Sequence, residues 1–364
     1  MNRTGVDIDR GNACSACAFE WAARTFSCRE GRLGCPIPLE QGGFANVLAV
    51  NGLRVATSSD GIGTKAELAE RTGVYDSLGF DLVAMVVDDL SAVGCEPVAL
   101  SNVLDVDRPD PAVVDRLMSG LHDAATQARV VVTGGEIAEL GRRVGGFGNG
   151  MRFNWSATGL GIFADGASPI DGRSIEVDDA ILSLRSAGFR CNGFTRIRGV
   201  LSAAYGEAWH EEKRSDGTPW GTALLTPSLI YSPVLLQIAE SGIRLTGVAH
   251  ITGGGIPGNL VRVLRACGLG ADLEDLFAPH PMMCEIQDLG SIDDAEAYRR
   301  WNMGNGMLLA VRPGDLDCAL RTIAAAGYEA KRVGQIVREP RISLRPWCPG
   351  ASRLEFPTQP DKRR

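Results

Sequence analysis

The residues best suited to chemistry in this chain of 364 are carboxylates set among glycines. Asp60 opens DGIGTK at 60–65, Asp88 and Asp89 stand side by side in GFDLVAMVVDDLSAVGCEPV at 79–98, and Glu136 ends the GGE at 134–136. Such combinations suit a magnesium nucleotide. Mg2+ takes hard oxygen ligands in octahedral geometry, with one or two carboxylates from the protein and phosphates and waters in the remaining positions. Gly61 and Gly63 let backbone N–H groups approach phosphate oxygens, while Thr64 and Lys65 add a hydroxyl and a point charge. The segment lacks the spacing of a GxxxxGK phosphate loop. Taken singly, each segment also reads as a surface turn. Their joint occurrence at the ends of predicted strands points to phosphate and magnesium.

Those loops need elements to hold them. Leu53 to Thr57 is a short β-prone run, and a helix opens near Lys65 to Arg71. Asp81 to Val93 is apolar at near-helical spacing, and Pro111 to Gln127 is a helix with Val114, Leu117, Met118 and Leu121 on one face. Val130 to Thr133 is a buried strand, and this order argues for a mixed α/β domain. The polar turn Asp165 to Gly172 separates a second unit with strands at Ala180–Leu184, Leu245–Ile251, Met307–Val311 and Ala330–Ile336. Its helices are Asn192–Tyr205, Pro227–Ser241 and Leu316–Ala326. The tail after Pro346 has Pro, polar residues and no periodicity, so it is expected to lack order.

Composition narrows the class. Lys and Arg total 37 against 44 Asp and Glu, and the net charge of −7 argues against a sequence-independent nucleic-acid binder. With 45% hydrophobic and 22% charged residues the chain is globular and long enough for two domains. It has no run of about 18 apolar residues, and Arg3, Asp7, Asp9 and Arg10 crowd its start, so neither a membrane span nor a signal peptide fits. The expected location is cytoplasmic, with the ten cysteines as reduced thiols. Cys14-x-x-Cys17, followed by Cys28 and Cys35, reads either as a zinc site with an unusual second spacing or as incidental cysteines.

Several motifs in one order carry a more specific message. GVDIDRGN at 5–12, GGF at 42–44, DGIGTK, the 79–98 segment, GGEIAE at 134–139 and CNGF at 191–194 are followed by LLTPSLIY at 224–231, AHITGGGIPGNLVRVL at 249–264 and NMGNGM at 302–307. Together they resemble the aminoimidazole ribonucleotide synthetase (phosphoribosylformylglycinamidine cyclo-ligase) family of purine synthesis, from about residue 5 to 338. The resemblance implies an α/β fold of two domains: residues 1–165 for ATP binding and dimerisation, and residues 170–340 for a C-terminal α/β domain. The N-terminal sheets would form a barrel across a homodimer, with ATP at that interface. It also implies ATP-dependent activation of an amide oxygen and closure of an aminoimidazole ring, with a small ribonucleotide as substrate and no nucleic-acid or membrane partner.

Carried onto this sequence, Asp60, Asp89 and Glu136 match acidic positions of the family's Mg-ATP site, and Gly61, Gly63, Thr64 and Lys65 its phosphate loop. Gly253, Gly254 and Gly255 match a glycine loop near the substrate phosphate. His250 matches the position before that loop, where an imidazole could move a proton or where a packed strand end would equally place one. Asn192 matches a substrate-binding amide. The departures are specific. FRCNG stands for the family's PHSNG, so Arg190 replaces a histidine of suspected catalytic role and Cys191 a serine. VDD replaces VND and adds Asp88 beside the expected metal; Ile137 replaces a threonine; WNMGNGM with Asn305 replaces FNCGVGM. These departures leave open a paralogue acting on another substrate in specialised metabolism, with Arg190 clamping an anionic group, or a non-catalytic dimeric partner of the same fold.

Overall fold

The computed structural model describes residues 8–37, 43–348 and 350–358. Gly5 to Asp7 of the first motif, Gly42 and residues 359–364 lie outside the described residues. Two mixed sheets organise the chain, one from residues 35–162 and one from residues 180–357. Helix α1 (Ile8–Ala23) precedes β1 (Cys35–Ile37), β2 (Asn46–Val50) and β3 (Leu53–Gly61). Asn51 and Gly52, at φ 48° and 84°, make the two-residue turn that an Asn-Gly pair favours between β2 and β3. Next come α2 (Ala66–Thr72), α3 (Leu78–Ala92), β4 (Glu96–Val106), α4 (Pro111–Ala128), β5 (Val131–Glu139) and β6 (Phe153–Ile162). Helix α4 begins at Pro111, as expected, because Asp110 Oδ1 accepts from the Ala112 N–H at 3.0 Å and proline has no donor to lose there.

The first sheet runs β1-β2-β3-β6-β4-β5, with β4 and β5 parallel. Helix α3 lies on one of its faces, and small residues let it come close. A Cβ on Gly159 would stand 2.6 Å from Val86 and 2.9 Å from Leu90 of that helix. The opposite face is open and apolar in part, with Val103, Leu160 and Ile162 exposed.

The second sheet draws on β7 (Ala180–Arg185), β8 (Leu245–His250), β9 (Gly270–Leu273), β10 (Asn305–Val311), β11 (Ala330–Val337), β12 (Arg341–Leu344) and β13 (Leu354–Pro357), in the order β13-β12-β9-β11-β7-β10-β8. Its helices are α5 (Phe194–Tyr205), α6 (Trp220–Leu224), α7 (Ser232–Glu240), α8 (Gly255–Leu264), α9 (Pro281–Gly290), α10 (Asp294–Arg300) and α11 (Leu316–Ala325). Two expectations are corrected. The helix expected over Pro227–Ser241 starts only at Ser232, because α3 carboxylates capture the backbone before it. The tail is not wholly without order: Leu354 and Phe356 alternate with polar neighbours, Phe356 is buried, and β13 pairs antiparallel with β12. Among the described residues no helix is long and apolar enough to cross a membrane.

Helix α3 joins the two halves. Leu82 to Val87 are buried on every side, as in a helix packed all round. It touches β3, β6 and α4 of its own half and α7 and β8 of the other.

Candidate active site at the domain joint

Three aspartates of α3 reach three different elements. Asp81 and Asp88 lie two turns apart and so share a face. Asp81 Oδ2 pairs with Lys65 Nζ at 2.6 Å, both side chains fully buried, and Lys65 also donates to the Thr226 carbonyl at 3.0 Å. Asp81 Oδ1 accepts from the Ser228 N–H and hydroxyl at 3.1 and 2.5 Å. Asp88 Oδ1 accepts from the Tyr231 and Ser232 N–H groups at 2.7 and 2.9 Å, where α7 begins with unsatisfied donors. Asp88 Oδ2 receives Arg190 Nη2 at 2.9 Å. The segment 226–232 is thus laced onto α3.

This placement corrects three expectations. Lys65 is not an exposed point charge awaiting a phosphate; Asp81 holds its ammonium. Asp88 is not a spare carboxylate beside a metal, since both its oxygens are engaged. Arg190 is 2% exposed and turned to Asp88 rather than presented to a ligand.

Asp89 is the aspartate that faces the joint. Its Oδ1 shares a hydrogen bond of 2.8 Å with His250 Nδ1, and Ser58 Oγ donates to its Oδ2 at 3.4 Å. Burial pushes Asp89 up to about 7, against the pull of Arg262. Asp60, two residues along β3 from Ser58 and therefore on the same face, is lifted to about 6 by the protein around it. The Gly61 N–H opposes that rise, and the Asp89 charge adds to it. Burial lowers His250 to about 3, so its ring is neutral near pH 7. His250 has no exposed surface, and its Nε2 has no hydrogen-bond partner. It orients Asp89.

Glu136 stands elsewhere. Sheet register places it in the row Gly61, Ser156, Val103, Glu136, about 14 Å across three strand spacings from β3. That row belongs to the open face, opposite Asp60 and Asp89. Among the described residues no three His, Cys, Asp or Glu side chains gather as a metal site. The expected Asp60, Asp89 and Glu136 set is therefore not assembled within one chain. The zinc reading of the cysteines fares no better: Cys14, Cys17 and Cys28 are exposed and Cys35 half-buried.

The glycines lie where backbone must come close. Gly63 has φ 54°, and the exposed Thr64 hydroxyl lies 3.5 Å from that of Thr195, across the joint. Asn192 reaches Met85 Sδ at 3.7 Å, and a Cβ on Gly253 would stand 3.1 Å from Asn192 Oδ1. Met85 and Asp89 are four residues apart on α3, so Asn192 and His250 approach one face of that helix. Gly254 and Gly255, at φ 95° and 59°, start α8, and Asn259 Nδ2 donates to the Gly253 and Gly255 carbonyls at 3.2 and 2.9 Å. Two helix starts, α5 after Gly193 and α8 after Gly254, thus meet at the joint, and helix starts favour anions.

Three contributors escaped the sequence reading. Arg262 of α8 draws both Asp60 and Asp89 toward ionisation, Ser58 holds Asp89, and Trp301 fills the space beside Gly193, where a Cβ would stand 2.3 Å from its Nε1. None belongs to a glycine-acid combination, the signal that marked the others. The remaining departures are accommodated within the fold. Asn305 Oδ1 accepts from Ser183 Oγ and the Phe277 N–H at 2.9 and 3.0 Å, Cys191 is buried, and Ile137 is exposed on the edge strand β5, beside Leu104.

Comparison with known proteins agrees with this architecture. Residues 42–162 match the N-terminal domain of AIR synthase related proteins, and residues 176–345 match the C-terminal domain. The phosphoribosylformylglycinamidine cyclo-ligase of Methanothermobacter thermautotrophicus is 35% identical over 302 residues, covering 83% of this chain and 85% of the relative. That of Sorangium cellulosum is 33% identical, covering 92% and 94%. A crystal structure of the hydrogenase maturation protein HypE in complex with ATP has the same fold, with TM-score 0.58, 16% identity, and coverage of 84% and 85%. The chain belongs to the AIR synthase-related family of ATP-dependent ligases, and its matched relatives are cyclo-ligases.

Proposed function

We propose that the protein converts formylglycinamidine ribonucleotide to aminoimidazole ribonucleotide with ATP. The supporting observation is the convergence of Asp60 and Asp89 with Asn192 and the 253–255 glycine loop at one domain joint. Oxide is a poor leaving group, so the amide oxygen first attacks the γ-phosphorus of ATP and ADP departs. The internal nitrogen then attacks the activated carbon, and inorganic phosphate leaves as the ring closes. The protein's task is to hold the substrate in a ring-closing geometry and to stabilise phosphoryl charge.

Asp60 on β3 and Asp89 on α3 fit a divalent cation: two oxygen donors, both raised toward neutrality by burial, which Arg262 only partly offsets. Bound there, Mg2+ would offset phosphate charge. Gly61, Gly63 and Thr64 offer backbone N–H groups and a hydroxyl to the nucleotide. Gly253, Gly254 and Gly255 offer the start of α8 to the substrate phosphate, and Asn192 orients the substrate amide. The ATP complex of the HypE relative supports nucleotide use by this fold. The open apolar sheet face supports a homodimer; the family resemblance implies ATP at that interface, where Glu136 would meet it.

The pairing of Arg190 with Asp88 inside the protein favours this reading over a changed acceptor. Incubation of the purified protein with formylglycinamidine ribonucleotide, ATP and Mg2+ tests it: ADP and aminoimidazole ribonucleotide should form in equal amounts. A protein that binds Mg-ATP but leaves the ribonucleotide unchanged would refute the acceptor assignment.

A further inference from the structure

Resting on that reading, we propose that Asp88 and Arg190 are coupled positioning residues, a strut that sets Asn192 and the start of α5 against the Asp89 face of α3. One carboxylate ties three elements together: α3, which carries it; the start of α7, through two amides; and the 187–193 loop, through Arg190. Arg190 lies two residues before Asn192 and three before Gly193, the residue ahead of α5. Its backbone is left-handed at φ 61°, a conformation that a bulky residue keeps only when its surroundings impose it. Its guanidinium lies 4.9 Å over the Tyr231 ring.

The pair is poorly built for stability alone. Arg190 Nε and Nη1 and Ser232 Oγ are buried without hydrogen-bond partners. A buried ion pair with unfilled donors adds little net stability, but removing one member leaves a buried charge unpaired. Removing both need not. Asn at position 88 keeps an oxygen for the two α7 amides, yet turns an N–H toward Arg190. His at position 190 offers that N–H a ring nitrogen. The single changes should therefore harm, Asp88→Asn more than Arg190→His, and the double change should restore.

The test compares wild type, Asp88→Asn, Arg190→His, the double variant and Arg190→Lys by ligand-free thermal midpoint and by kcat and KM for each substrate. Each single neutralising change should lower the midpoint and reduce kcat/KM for the ribonucleotide by about tenfold, with KM for ATP unchanged. The double variant should recover both readouts to within about threefold, and Arg190→Lys, which keeps the charge, should lie between wild type and Arg190→His. Additive losses in the double variant overturn the proposal. So does a recovered midpoint without recovered kcat/KM, which would leave Arg190 a substrate contact. Should Asp88→Asn be insoluble, rescue of folding by the second change supports the strut, and continued insolubility overturns it. If wild type leaves the ribonucleotide unchanged, the acceptor assignment fails, and the midpoints still decide the coupling.

Discussion

His250 Nδ1 lies 2.8 Å from Asp89 Oδ1, joining the last residue of β8 in one sheet to the helix that backs the other. The bond sits where water is scarce, which lowers the histidine to about 3 and raises the aspartate to about 7. A neutral imidazole thus faces a carboxyl whose charge burial disfavours, against the pull of Arg262.

Asp89→Asn should abolish ATP turnover, by at least about 100-fold, because phosphate charge loses its metal anchor, while the fold survives. Coupled ADP assays and circular dichroism on the same preparation check this. Near-normal ADP release would sink the metal assignment.

The same variant carries a pH signature in metal-free protein. Asp89 has a folded value of about 7 against an ordinary 3.8, so its stabilising contribution is complete below about 4 and is lost as pH rises through 7. His250 runs the other way: its contribution is present above 6.5 and is lost as pH falls toward 3. The midpoint of Asp89→Asn should therefore gain on wild type between about pH 4 and pH 8, and added Mg-ATP should narrow the gap. A constant difference across that range would contradict the burial argument.

Lys65→Met should lose roughly 3–5 kcal/mol of stability in urea unfolding, because Asp81 is left charged in a dry joint. KM for ATP should hold in the folded fraction. Unchanged stability with a raised KM would return Lys65 to the phosphate.

Gly255→Ala should raise KM for the ribonucleotide by about tenfold and spare KM for ATP. Gly255 has φ 59°, and an added Cβ would stand 2.0 Å from the Tyr298 carbonyl, so the start of α8 must move. Equal effects on both substrates would contradict separate roles for the two glycine loops.

Light scattering should return a dimer for wild type and a monomer for Val103→Asp combined with Leu160→Asp, which place charge on the open sheet face. A wild-type monomer at micromolar concentration would remove the barrel and its shared ATP site.

Motif order and local pattern reveal the family, the α/β class and most strands. They also single out Asp60 and Asp89 as candidate site residues, because glycine-acid combinations and hydrophobic periodicity are local properties of a chain, while Asn192 enters only through the family resemblance. Helix α4 is legible for the same reason: Pro111 and its apolar spacing are enough. The destination of each charge was not legible. Lys65, Asp88 and Arg190 look like ligand-binding residues when read along the chain, yet each is claimed by a partner 16 to 102 residues away. Glu136 looks like a third metal ligand, yet strand pairing sends it to the other face of the sheet. The first turn of the helix expected from Pro227 was lost to Asp81 and Asp88, whose carboxylates capture the amides of Ser228, Tyr231 and Ser232. Whether a charge is free for chemistry depends on which elements pack against it and on how little water remains there, and only the folded chain settles both.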